Sequence, residues 1–137
     1  MYVDKNLVLS NEQDIGAGAG SQLSDYSVDL GVARNIANGR PLYVVVVVDE
    51  TFAGGTSLQI AVVTDSVETL NDTVTTHIET PAILQADLTE GRMPIVIPIS
   101  NIGVNERYLG LYYTDSGTFS AGKVTAFIAL DPFGSAY

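Results

Sequence analysis

Residues 42–49 read LYVVVVVD, with five valines in succession. β-Branched side chains are stiff about χ1 and favour extended backbone. In a strand, Leu42, Val44, Val46 and Val48 share one face, and Tyr43, Val45 and Val47 share the other. Both faces are apolar, so this strand has to be covered on both sides. A two-layer sandwich covers only one of them. The second cover is expected from the N-terminal segment, a long loop or a neighbouring subunit.

The same extended signal recurs along the chain. Short segments rich in Val, Ile, Thr and Tyr fall near 5–10, 26–31, 57–65, 73–79, 93–100, 107–114 and 122–130, separated by Gly, Asn, Asp and Ser clusters. With 42–49 they make about eight strands, which predicts an all-β sandwich or barrel. The length of 137 residues suits one domain spanning 1–137, with an N-terminal arm at 1–22. The one short helix expected is in TPAILQAD, where Thr80 would cap and Pro81 would take the first helical position.

Two segments predict their own placement. In MPIVIPIS, Met93, Ile95, Ile97 and Ile99 face one way and Pro94 and Pro98 the other. The two prolines remove N–H donors from one lateral side, so either this is an edge strand, the favoured reading, or its partner contacts a non-bonding side. In GVNERYLGLYYT, Arg107, Leu109, Leu111 and Tyr113 alternate with Tyr108, Gly110, Tyr112 and Thr114. The leucine face is the core face. On the other, the missing side chain of Gly110 leaves a gap for the neighbouring rings to cover. Glu106 and Arg107 at the strand's start suit an ion pair or a turn contact.

Composition narrows the function. Hydrophobic residues make up 46% and charged residues 16%, below the roughly 25% usual in globular proteins, which points to association that covers surface, the alternative being a β-rich domain that uses Thr, Ser, Asn and Gln in place of charge. The net charge of −10 repels phosphate. The six basic residues, Lys5, Arg34, Arg40, Arg92, Arg107 and Lys123, form no run, so no nucleic-acid partner is expected. There is no cysteine, which excludes disulfides and thiolate metal sites. MYVDKNLVLSNEQD lacks a basic stretch leading into an apolar one, so no secretory signal is expected, and no apolar run is long enough for a membrane span.

The candidate chemical motifs are weak. IGAGAG at 15–20 has the spacing G-x-G-x-G and leads into loop and strand, whereas the dinucleotide fingerprint needs G-x-G-x-x-G opening a helix. His77 is the only histidine, too few for an imidazole-rich metal site, and no nucleophile elbow accompanies it; a half-exposed strand histidine is the expectation. Asp49-Glu50, Asp87, Glu90 and Glu106 define no glycosidase dyad, and no calcium loop is present. Asp131 in ALDPFG ends a strand before a proline turn. The sequon at 71–73 bears only on a secreted eukaryotic chain. No catalytic residue, cofactor or metal is therefore expected.

The order PLYVVVVVDETFAGGTSLQIAVVTDS, then LTEGRMPIVIPI, then GVNERYLGLYYTDSGTFSAGKVTAFIALD resembles the small capsid cement, or decoration, proteins of tailed bacteriophages. The resemblance runs from about residue 5 to residue 131 and is strongest in NERYLGLYYTDSGTFSAG. It implies an antiparallel β-sandwich of jelly-roll type and a homotrimer bound to the major capsid protein at threefold and quasi-threefold positions. It implies a virion location on the capsid's outer surface after synthesis in the host cytoplasm, with no catalysis. The interface residues expected are Tyr108 and Tyr112, opposite the leucines, with Tyr2, Phe133 and Tyr137 at the chain ends, because tyrosine is enriched at interfaces. A carbohydrate-binding or lectin-like sandwich is the alternative, disfavoured by the absence of tryptophan. A small β-barrel enzyme is the weakest reading.

Overall fold

The computed structural model describes residues 7–15, 22–30, 42–70, 74–99 and 106–129. Among them are ten strands: β1 (Val8–Asp14), β2 (Gln22–Leu23), β3 (Val28–Asp29), β4 (Tyr43–Gly54), β5 (Ser57–Asp65), β6 (Thr75–Glu79), β7 (Ile83–Leu84), β8 (Ile95–Pro98), β9 (Tyr108–Ser116) and β10 (Phe119–Ala129). Each segment predicted as a strand overlaps one, although β1, β4, β9 and β10 run past the expected bounds. Only the two-residue β2 and β7 have no counterpart in the sequence reading, being too short to show a period.

All pairings are antiparallel. One sheet has the order β1-β10-β4-β8; in the other, β9 and β5 lie at the centre, flanked by β2 and β3 on one side and by β6 and β7 on the other. Since β2 and β3 both pair with β9, and β6 and β7 both pair with β5, each couple is one interrupted strand. Eight strands remain. The first pairs with the last, the second with the second from last, the third with the third from last, and the two central ones with each other. That is one long antiparallel ribbon rolled into two sheets, the jelly-roll form of the β-sandwich.

The main core lies between the sheets. Val44, Val46 and Val48 of β4 meet Leu58, Ile60 and Val62 of β5 and Leu109, Leu111 and Tyr113 of β9. Phe52 packs edge-on to Phe119 at 5.0 Å, and a side chain at Gly122 would collide with the Phe52 ring, so glycine is required there. One polar set crosses the core. The Ser10 hydroxyl donates to Gln13 Oε1 at 2.7 Å, and its oxygen lies 2.8 Å from the Tyr113 hydroxyl. With the Ser10 proton committed, Tyr113 is the donor in the second bond. Burial pushes the Tyr113 phenol far above its ordinary range, opposed in part by the Ser10 hydrogen bond.

The second face of β4 is covered in part, at Val45, while Tyr43 and Val47 stay half-buried. Val45, 0% exposed, packs with Phe127 and Ala129, joined by half-buried Val8 and Val47. Register explains the cluster: Val8 lies opposite Phe127, which lies opposite Val45. The burial of Val45 is complete within a single chain.

β8 is an edge strand, as its prolines predict. Ile99 N donates to Leu42 O at 2.9 Å, so the odd-numbered residues of β8 turn their N–H groups towards β4. The missing donors of Pro94 and Pro98 therefore fall on the outer side, which blunts that edge. Ile95, Ile97 and Ile99 are buried, but Met93 is 76% exposed, contrary to the alternation, because the strand starts only at Ile95.

TPAILQAD departs further from expectation. Thr80 caps no helix; its hydroxyl accepts from Ile60 N and its own N–H donates to Ile60 O, which holds it beside β5. Ile83 and Leu84 then form β7, and only Gln85–Asp87 turns, as one 3-10 turn without a side-chain cap. Pairing with β5 outcompetes the local helical signal.

Candidate functional site

β9 sets the outer face of the second sheet. Leu109, Leu111 and Tyr113 point into the core, which sends Tyr108, Gly110 and Tyr112 outward, as the alternation predicts. Arg107 does not follow the leucines inward; it is half exposed at the strand's entry. Its guanidinium grips Asp29 through two bonds, Nε to Oδ1 at 2.8 Å and Nη2 to Oδ2 at 2.9 Å, and lies 5.1 Å from the Tyr108 ring centroid. The hydrogen bond to Asp29 and the carboxylate's charge raise the Arg107 pKa further.

The tyrosine rings do not fill the gap at Gly110. Leu70 does: a side chain built on Gly110 would come 2.4 Å from Leu70 Cδ1. Leu70 follows a turn in which its N–H donates to Val67 O, and its φ of 55° lies in the left-handed region that few non-glycine residues adopt. The connection after β5 thus folds back and plugs the sheet. Leu70 gathers Ala61 and Val63 with half-buried Leu23, Val74, Tyr108 and Tyr112. Tyr26, 56% exposed, and Val67, 37% exposed, lie on the loops that the Ser27-to-Glu68 hydrogen bond ties together.

Tyr108 and Tyr112 are therefore brought together on one face and half covered by their own chain. Tyr2, Phe133 and Tyr137 lie outside the described residues. So do Lys5, Arg34, Arg40, Asp131, the sequon at 71–73 and residues 16–20 of the glycine segment.

Of the acidic residues singled out in the sequence, Asp49 and Glu50 are engaged locally. Asp49 accepts from the Thr125 hydroxyl, and Glu50 accepts from Gly122 N at 3.2 Å and lies 3.9 Å from Lys123 Nζ. Asp87 borders an open depression of about 590 Å³ that also includes Ile83, Leu84, Arg92 and Met93. Arg92 holds that loop through the carbonyls of Asp87 and Met93, at 2.8 and 3.1 Å. Among the described residues, no group of three His, Asp or Glu side chains is placed to hold a metal ion.

One polar set was invisible in the sequence. His77 is half-buried, as expected of a strand histidine, but its Nε2 lies 2.6 Å from the buried Thr64 hydroxyl, which donates to Glu106 Oε1 at 2.8 Å. The three residues are far apart in the chain, and a register shift brings them together, so no local pattern announces them.

These features define a jelly-roll sandwich with one blunted edge, a small apolar patch around Val45 on the outer face of one sheet and a tyrosine-bearing face on the other plugged by a connection. The family model Bbp16 matches residues 9–128, from β1 to β10, and the chain belongs to this phage-related family. Comparison with curated proteins found no match.

Proposed function

We propose that the chain is a structural virion protein, a capsid cement or decoration protein that assembles as a homotrimer on the outer surface of its phage's major capsid shell. The observation that carries this reading is a jelly-roll sandwich in a member of a phage-related family. The low charged fraction of 16% is consistent with surface covered in an assembly. The protein then acts by burying area at junctions between capsid subunits. Repetition over the shell turns modest affinity per site into a large collective stabilisation. A protein that binds the mature shell better than its precursor stabilises the mature state by that difference in affinity alone.

Tyr108 and Tyr112, with Tyr26 at the rim, supply aromatic contact surface on the second sheet. Light-scattering mass and co-sedimentation with mature and immature shells test the reading. A mass near three chains with saturable binding to mature shells supports it; a monomer that ignores both shells overturns it.

A further inference from the structure

The Thr64 hydroxyl sits between a histidine and a glutamate, and its single proton fixes the direction of both bonds. β5 and β6 run in register with Val62 opposite Ile78, but then Val63 lies opposite Thr76, so His77 has no opposite residue. Ile78 packs against the main core. Strict alternation would turn His77 outward, away from that face; the bulge turns its ring to Thr64 instead, the re-aiming that β-bulges provide. Thr64 is fully buried on the central strand β5. Its oxygen is 2.6 Å from His77 Nε2 and 2.8 Å from Glu106 Oε1.

An ionised carboxylate only accepts, so the hydroxyl proton of Thr64 goes to Glu106. The Thr64 oxygen must then accept from His77, which requires a proton on Nε2. We infer that His77, Thr64 and Glu106 form a one-way hydrogen-bond relay that clasps β6 to β5 and to the entry of β9. Whereas β8 is blunted by prolines, β6 is fastened by this relay. Ile78 and its core contacts do not depend on it. Cutting the relay therefore loosens β6 without unfolding the sandwich. The inference is independent of the capsid reading.

Because His77 is the chain's only histidine, its imidazole signals in a nitrogen-15 NMR spectrum are unambiguous. At neutral pH the relay predicts an Nε2–H proton that exchanges slowly with water. Thr64→Val keeps the shape and removes the hydroxyl. It should abolish that slow exchange and speed hydrogen exchange of the β6 amides about tenfold, leaving β10 amides unchanged. Thr64→Ser should restore both readouts. A bare Nε2 in the native protein would overturn the direction of the relay. β6 exchange unaltered in Thr64→Val, or loosened to the same extent in Thr64→Ser, would overturn the clasp.

Discussion

The two sheets bury apolar residues on their outer faces by opposite means. On the β1-β10-β4-β8 sheet the apolar cover begins as a ladder of strand residues in register, Val8 beside Phe127 beside Val45. On the other sheet it depends on Leu70, a connection residue held at positive φ and driven into the space over Gly110. A ladder is written into the alternation of each strand. A plug is a relation between a turn and a distant glycine, and neither shows it alone.

The sharpest way to break this comparison is to remove one member of each cover. Phe127→Ala should cost about 3 kcal/mol in denaturant unfolding, the low end for a buried phenylalanine because its cluster is small. Leu70→Ala should cost about 2 kcal/mol for the cavity it leaves, because alanine keeps the Cβ and so gains nothing at the left-handed φ. Gly110→Ala should cost about 1 kcal/mol, because Leu70 Cδ1 ends a side chain that can partly turn aside. Combined with Leu70→Ala, it should cost almost nothing further, and this non-additivity is the signature of a plug. Full additivity would mean that Leu70 and Gly110 do not share one space.

A smaller effect separates both faces from the core. Tyr113→Phe should cost about 1 kcal/mol at neutral pH, for the bond lost to Ser10. The pH dependence has a definite sign. In the unfolded chain tyrosine ionises near pH 10, whereas the buried Tyr113 phenol keeps its proton well above that. Its contribution is complete below about pH 10 and is lost as pH rises beyond it, by about 1.4 kcal/mol per unit until the folded group ionises. Unfolding followed from pH 8 to 11 should show that decline in the native protein and a weaker one in Tyr113→Phe. The smallest effect belongs to Arg107→Lys, which should leave the melting temperature unchanged within error, since the pair with Asp29 is solvent-exposed.

Much of this architecture was legible in the sequence. The valine run announced a strand apolar on both faces, of which the second is buried at Val45 and half-buried at Tyr43 and Val47; the prolines at 94 and 98 announced an edge, and the leucines at 109 and 111 fixed which way β9 faces. These are properties of alternation within one strand. Thr80 misled because its capping signal is local while its partner, Ile60, is not. The insertion of Leu70 and the turning of His77 depend on register and on turn geometry. The tyrosine face was legible in its members, Tyr108 and Tyr112, but not in its cover.

The claim that this protein acts as cement is tested most directly by the thermal stability of its phage's mature capsid shells, emptied of genome and stripped of the protein, as it is added back. The account predicts a shell melting temperature that rises with occupancy and levels off when the binding sites are filled. Saturated shells that melt at the same temperature as bare ones would contradict it.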